Sequence, residues 1–528
     1  MKKSLPHNLL LAALFLSAGS SLVSVPSCAG TAPLPDSSLA ATIDTLSGIP
    51  LPLDQAIQQA LKNSTAVRQA EAAYLAARGV VRREAGAFDP ELFFNANYLD
   101  QDDPTASVFS GASTLLTKTT TTQSGIRINL PTGTDFELSL NTTKFESNSN
   151  FAFLNPEYDA FGSLTFRQSL LHGFTASAKK DLTQAKHQRD AALARYEQAI
   201  LATTAAVERA YWDLYAAVRD YAVQVLTVER GQALRRETEL RAQAGLVGPN
   251  QVASARTFLA QQNLLLIDLA ERLDARSDAL AHLTGMRPEE GKQRFITVGD
   301  PPAGFAIIPV DSLVAYAQNN NLNIQAAGRD VEAAQTLVRA AGWEILPTVD
   351  LVGSIDGSGL AGTPRDVVFG GDTLSLDRSG DLGNAIGQVA NREFPHWSVG
   401  VEVTIPFGFR RSAGERDRLN AELSSARTRQ TELSRALEEQ VRAAYRELSH
   451  GQDRLSAAGE GVDAAQEQVR TGLVEFHNGR STAFELVRLT ADLATAQQRY
   501  SEALARTAKA AATLRELVSD SSAVVANP

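Results

Sequence analysis

The 528-residue chain is poor in residues that could do covalent or metal chemistry: it has seven histidines and one cysteine. The histidines are scattered, and none stands in a His-Glu-x-x-His or other paired metal-ligand spacing. The glycine-rich stretch from Gly353 to Gly371 lacks the lysine and the following helix that a phosphate loop requires. Serines and carboxylates are plentiful, yet no nucleophile elbow occurs. A single thiol excludes both a disulfide framework and a cysteine metal cluster. No catalytic constellation, metal site or cofactor site emerges, and the chain is not expected to be an enzyme.

The one thiol, Cys28, lies in Val25-Pro26-Ser27-Cys28-Ala29-Gly30. An aliphatic residue three before the cysteine and a small one just before it resemble a lipid-attachment box, which makes Cys28 a lipidation candidate. Pro26 departs from that pattern, and cleavage after Ala29 by the ordinary signal peptidase also fits. Upstream, Lys2 and Lys3 followed by the apolar stretch Leu9 to Leu16 mark residues 1–28 as an export signal. Residues 29–50 read as an extended lead-in.

Net charge is −10 without a basic concentration, so nucleic acid is excluded as a partner. Beyond the N-terminus no run of about 18 apolar residues exists, which excludes an ordinary helical membrane protein. Hydrophobic residues reach 44% but aromatics only 6%. With alanine abundant throughout, this composition points to long helices in close contact rather than a large globular core.

The chain repeats itself. Residues 53–90 align without gaps on 310–347 at an offset of 257: Asp54 meets Asp311, Asn63 meets Asn320, Arg82 meets Arg339 and Pro90 meets Pro347. Residues 205–260 align on 439–494 at an offset of 234, so that Tyr211 meets Tyr445 and Gly245 meets Gly479. The predicted order in each half is helix, proline, strands, long helix, glycine turn, helix. The first repeat covers 51–290 with strands at about 91–170. A linker at 291–309 leads to the second repeat, 310–519, with strands at about 348–406, and 520–528 form a tail.

No proline interrupts residues 176–243 or 412–477, each long enough for a helix of roughly 100 Å. Shorter helices are predicted over 52–86, 249–284, 310–342 and 482–518. Val441, Leu448, Leu455, Val462, Val469 and Phe476 recur every seven residues, and small residues (Ala444, Gly451, Ala458, Ala465, Gly472) stand three positions after all but the last. Val207, Leu214, Tyr221 and Val228 echo this seam in the first half, and Arg235 breaks it. Such a period calls for supercoiled packing with knobs close to the neighbouring backbone.

Between the helices the period becomes two. Ile126, Ile128 and Leu130 alternate with Arg127 and Asn129, and Phe136, Leu138 and Leu140 with Asp135, Glu137, Ser139 and Asn141. Trp397, Val399, Val401, Val403 and Ile405 alternate with Ser398, Gly400, Glu402 and Thr404. Apolar-out, polar-in segments of about ten residues with Phe93, Phe94 and Trp397 as aromatic ends suit a transmembrane barrel. A soluble half-buried sheet gives the same alternation. Neither half has enough strands to close a barrel, so closure requires several copies. Pro90 to Gly173 exceeds Pro347 to Gly408 by about a hairpin's length, which places an extra hairpin at 121–144 around Pro131-Thr132-Gly133-Thr134. With that hairpin in the wall the count is four strands plus two, and with it outside the wall only four per chain, with long outer loops at 101–120, 146–158 and 358–394.

This organisation resembles the TolC-like outer-membrane factors over about 50–520. The motifs that carry it are Ala244-Gly245-Leu246 and the looser Asn478-Gly479-Arg480, together with Leu53–Val67, Leu346-Pro347 and Ile405-Pro406-Phe407-Gly408. The resemblance implies a mainly α fold with transmembrane β: a homotrimer whose coiled-coil helices form an α-barrel tunnel and whose strands share one outer-membrane β-barrel. It implies a passive exit duct of an efflux pump or type I secretion system in the outer membrane of a Gram-negative-type bacterium. Its partners would be outer-membrane lipid and a periplasmic adaptor docked at the two tips, and through the adaptor an inner-membrane transporter. Six residues after the tip glycine the family often has an aspartate that helps close the tunnel; here Gln251 and Glu485 stand there, and Arg488 replaces a further acid. A Glu485 ring paired with Arg488 across a protomer boundary is the gate this leaves; ordinary solvated helix charges are the equal alternative. The competing reading is a periplasmic or cell-surface coiled-coil protein without a channel. The cargo, whether drug, metal ion or protein, is not written in these motifs.

Overall fold

The computed structural model describes residues 37–106, 110–288, 294–519 and 524–526; the export signal and Cys28 lie outside them. Helix α1 (Ser37–Asp44) and strand β1 (Ile49–Leu51) lead into α2 (Leu53–Asn63) and α3 (Thr65–Ala85). Four strands follow: β2 (Glu91–Pro104), β3 (Thr114–Leu130), β4 (Thr134–Ser147) and β5 (Leu154–Ser169). The long helix α4 (Lys180–Gln243), its return α5 (Pro249–Thr284) and β6 (Phe295–Thr297) complete the first half. The second opens with β7 (Phe305–Ile307), α6 (Val310–Asn320) and α7 (Leu322–Glu344). Then come β8 (Thr348–Pro364), the small hairpin β9 (Val367–Phe369) and β10 (Asp372–Leu374), α8 (Leu382–Ala390) and β11 (Phe394–Thr404). Helices α9 (Arg410–Ser449), α10 (Gly451–His477) and α11 (Ala483–Val518) and strand β12 (Val524–Ala526) end the chain.

Three of the predicted helices are broken. The helix expected over 52–86 divides at Ser64 and that over 310–342 at Asn321, two residues 257 apart with ψ of 122° and 124°. Each is an N-cap: Ser64 Oγ accepts from the Val67 amide at 3.3 Å, and Asn321 Oδ1 from Ile324 at 3.2 Å. A side chain that satisfies the first free amides of a new helix makes a break cheap. The helix expected over 412–477 breaks at His450. There the neighbouring Gly451 lies so close to α11 that a Cβ would meet the Thr507 hydroxyl at 2.7 Å.

The expected outer loops are shorter than their polar composition suggests. β2 reaches Pro104, β3 begins at Thr114, β4 and β5 are separated by 148–153 alone, and β8 runs to Pro364. Threonines 117 and 119–122 explain part of this, since β-branched polar residues favour strand without creating an apolar face that a sequence pattern could show.

Helices pack four abreast at each level, in the order α3, α4, α7, α9 near the strands and α5, α4, α11, α10 farther away. The seam faces inward: Val441, Leu448, Val469 and Phe476 are buried, as are Val207, Leu214 and Val228. Its small residues act as expected, because a Cβ on Gly472 would stand 2.5 Å from Leu489. At mid-height Tyr211, Leu214 and Val218 of α4 meet Leu273 and Leu280 of α5 and Leu504 of α11 in one core. Beside it α4 and α11 are laced by Glu208–Arg515 at 2.9 Å, Arg209–Glu516 at 2.7 Å and Asp213–Lys509 at 2.6 Å.

Candidate functional site: strand wall and helical tips

All six long strands form one antiparallel sheet in the order β11-β8-β5-β4-β3-β2, four strands from the first half and two from the second. The halves join at β5 and β8, where Leu164 pairs with Ile355. Register carries one apolar row across the whole sheet: Leu92, Ile126, Leu138, Leu164, Ile355 and Trp397 are successive cross-strand partners. These six side chains are 41% to 81% exposed. The next row toward the helices continues with Ile128, Phe136, Phe166, Gly353 and Val399.

The opposite face is charged. Arg127 pairs with Glu137 at 2.9 Å, and Arg167 bridges Asp350 at 2.7 Å and Glu402 at 2.9 Å. The Ser163 hydroxyl donates to Asp356 at 2.5 Å. From Val349 to Gly359 the apolar face of β8 rises about 25 Å at a 40° strand tilt. At its outer edge stand Tyr98, Thr120, Lys144, Tyr158 and Ala361 as one row. The predicted aromatic ends are thereby corrected. Trp397 lies mid-strand, and Phe93 turns to the charged face beneath the Arg127 guanidinium, 5.4 Å from its ring. Consecutive strand residues point to opposite faces, so Phe93 and Phe94 could not both mark one boundary.

At the far end of α4, about 96 Å from its start by helix rise, the chain makes two matched turns. Gly245 and Gly479 both have φ of +73°. The Leu246 amide donates to the Arg241 carbonyl at 2.9 Å, and the Arg480 amide to Glu475 at 2.9 Å, the same bond displaced by 234 residues. Both glycines close a helix in the left-handed conformation that only glycine adopts without strain. Ala244, Leu246, Asn478 and Arg480 are exposed around them. The tips are joined by a contact that sequence reasoning missed. Arg241 donates to the Phe476 carbonyl at 2.8 Å and to Glu237 at 2.8 Å, with its guanidinium 4.2 Å from the Phe476 ring centre.

Of the gate candidates, Gln251 is half-buried in the first turn of α5, whereas Glu485 and Arg488 are exposed on α11. Glu485 accepts from the Ser481 hydroxyl at 3.2 Å. Within the chain no ion pair joins Glu485 to Arg488 among the described residues.

Where the sheet meets the helices, Glu344 at the end of α7 receives Lys180 Nζ at 2.5 Å and Ser177 Oγ at 2.8 Å. Burial alone would raise its pKa, but these two donors and their charge hold it below the ordinary carboxylate value.

Residues 313–519, from α6 to the end of α11, match the family model of outer membrane efflux proteins. The chain carries an outer membrane efflux protein domain. Among curated proteins nothing matches. Solved structures with the same fold as this chain include VceC of Vibrio cholerae, an outer membrane protein. It has a TM-score of 0.60 at 16% identity over 89% of this chain and 96% of that one. The CmeC outer membrane channel of Campylobacter jejuni has a TM-score of 0.57 at 14% identity, over 89% and 86%. The outer-membrane channel OprN has a TM-score of 0.59 at 17% identity, over 92% of each chain. The shared fold thus spans both repeats.

Proposed function

We propose that this chain is the outer-membrane exit duct of an efflux or type I secretion system, passively conducting solutes from the periplasm to the exterior. The apolar row from Leu92 to Trp397 carries the reading. It girdles one face of a sheet whose other face holds Arg127, Glu137, Arg167, Asp350 and Glu402, and a lipid-facing exterior with a water-lined interior requires that division. β2 and β11 are left as free edges, so the wall closes only by pairing β11 of one copy with β2 of the next. Three copies give eighteen strands above a tunnel of twelve helices. The matched turns at Gly245 and Gly479 are then the periplasmic docking end for an adaptor that links the duct to an inner-membrane transporter. Glu485 and Arg488 would pair between protomers near that mouth.

The test is localisation and sidedness. The protein should fractionate with the outer membrane as a heat-sensitive trimer. A cysteine at exposed Val368 in the β8–β11 connection should be labelled from outside intact cells, and one at exposed Pro131 should not. Gly133 is unsuitable, because a Cβ there would meet the Gly173 carbonyl oxygen at 2.2 Å. Recovery in the soluble periplasm, or outside labelling of Pro131→Cys, would overturn the reading.

A further inference from the structure

Helix α8 has no charged residue and lies on the apolar face of the sheet, over the outer part of β8 and β5. The sheet is hollowed to receive it. A Cβ on Gly359 would come within 2.1 Å of the Ala385 carbonyl oxygen, one on Gly357 within 3.3 Å of that of Val389, and one on Gly162 within 2.6 Å of the Val389 side chain. The helix is also fixed at the strand edge. β11 stops at Phe394, opposite Ser358, so that the next backbone groups of β8 have no strand partner. Gln388 fills that place with one side chain: its Oε1 accepts from the Leu360 amide at 2.9 Å and its Nε2 donates to the Leu360 carbonyl at 3.2 Å. An edge that would otherwise expose unpaired backbone to lipid is thereby satisfied.

Between α8 and the apolar row lies a groove of about 510 Å³, walled by Leu138, Leu140, Leu164 and Ile355 of the sheet and by Ile386 and Val389 of the helix. Arg392, which also borders it, lies two residues beyond the end of α8. Lys118 and Lys144, two other cations of this outer end, are held by Asp100 at 3.5 Å and Glu146 at 2.6 Å, and the Arg378 guanidinium lies over the Phe394 ring. Arg392 has no ion-pair partner among the described residues. It stands near the level of Ser358, about three residues short of the outer row of Tyr158 and Ala361, within snorkelling reach of that boundary.

We infer that this groove seats an acyl chain of lipid A, with Arg392 on its phosphate. The inference rests on the outer-membrane reading above. The groove is continuous with the apolar girdle, occupies the outer half of its height and ends at a free guanidinium. A doubly anionic acylated glycolipid of the outer leaflet matches all three features, whereas an inner-leaflet phospholipid matches only the first. The helix would act as a clamp that makes the lipid part of the wall.

The experiment uses the full-length trimer, purified from outer membranes in mild detergent and stripped of lipid. Thermal dissociation is then followed with added hexa-acylated lipid A, phosphatidylglycerol or phosphatidylcholine. Lipid A should raise the dissociation temperature most. Arg392→Gln, which keeps the left-handed backbone (φ +54°) no more strained than arginine does, should weaken lipid A binding about tenfold while leaving trimer assembly intact. Gly359→Val should displace α8 and abolish the lipid A effect. Should that variant fail to assemble, Ile386→Ser tests the same wall. Equal stabilisation by all three lipids, or an unchanged response in Arg392→Gln, would overturn the inference. An outer-membrane trimer that ignores lipid A sinks the lipid site alone, and a chain absent from the outer membrane sinks the duct reading instead.

Discussion

Gly245 and Gly479 offer a perturbation whose cost can be worked from geometry. Both have φ of +73°, and a Cβ added at either would meet nothing within 4 Å. Substitution therefore creates no clash, and its whole cost is left-handed backbone strain, about 1–2 kcal/mol for an ordinary side chain and more for a β-branched one. That is small against a protomer whose α4 is buried along most of its length, so the chain should still fold. The sheet, about 96 Å away along α4, should still assemble. The turn itself is set by the Leu246-to-Arg241 and Arg480-to-Glu475 bonds, and re-aiming it moves the exposed residues that would face an adaptor. Gly245→Val and Gly479→Val should each lose cross-linking to the cognate adaptor and lose export, with alanine intermediate. Gly461→Ala is the control: it too meets nothing within 4 Å but lies inside α10 with ordinary helical backbone, and it should stay active. Variants that assemble in the membrane at normal levels and export normally at both tips would refute the docking assignment.

Asp220 of α4 is half-buried with one carboxylate oxygen shut off from solvent, and burial, only partly offset by Arg272, pushes its carboxyl up to about 7. The folded state then holds a proton that the unfolded state releases near 3.8, so stability falls as pH rises from about 4 to 7 and is flat above. Asp220→Asn should raise the melting temperature most at pH 8, less at pH 5 and least near pH 4; an equal gain at all three would disprove this. Ser519 caps α11 at φ +56°, at the place that Gly285 takes in the first repeat with φ +66°. Ser519→Gly should stabilise by up to about 1 kcal/mol, read as a higher denaturation midpoint, and a loss would show that its bond to the Leu322 amide outweighs the strain. A lipid on Cys28 and a docked α1 exclude each other, because Leu39 packs against Ala222 and Leu226, roughly 60 Å from the start of α4. The residues from Cys28 to Leu39 span at most about 40 Å. Wild-type chain should therefore incorporate no palmitate, and labelling with α1 still protected from protease would refute the geometry.

Some of this was legible because it is periodic. The offset of 234 reappears as identical hydrogen bonds at the two tips, and along the seam Val441, Leu448, Val469 and Phe476 are buried as heptads require, with Leu455 and Val462 half-buried. The count of four strands plus two followed from the surplus length at 121–144, which forms β3, the turn at Gly133 and β4. What escaped is non-local. Arg241 reaches a carbonyl 235 residues away, and nothing in its neighbourhood marks it. Residues 382–390 fell within the long outer loop expected over 358–394, and Gly383 and Gly387 lower their helix propensity. The helix there is held by a capping box at Asp381 and by glycines of other strands, which periodicity along one segment cannot reveal. The breaks at Ser64 and Asn321 did have a local signal, a capping side chain ahead of a new helix, masked by an apolar pattern that runs through both helices.

The extra hairpin bears on how a strand wall can sit on a helical tunnel. Strands 4.8 Å apart and tilted by 40° each occupy about 6.3 Å of circumference. In the proposed trimer eighteen of them give about 113 Å. Twelve helices at 9–10 Å need about 108–120 Å, so the two rings meet without a step. A twelve-strand wall at the same tilt would reach only about 75 Å and would have to tilt or splay to join the helices. The junction residues suit a direct join: Glu344 ties α7 to α4 through Lys180 and Ser177, while the Gly133 carbonyl accepts from Ser169 at 3.0 Å and the turn packs against Gly173 at the root of α4. The extra hairpin, β3 and β4, is thus seated on the helical ring itself, where a wall strand must be.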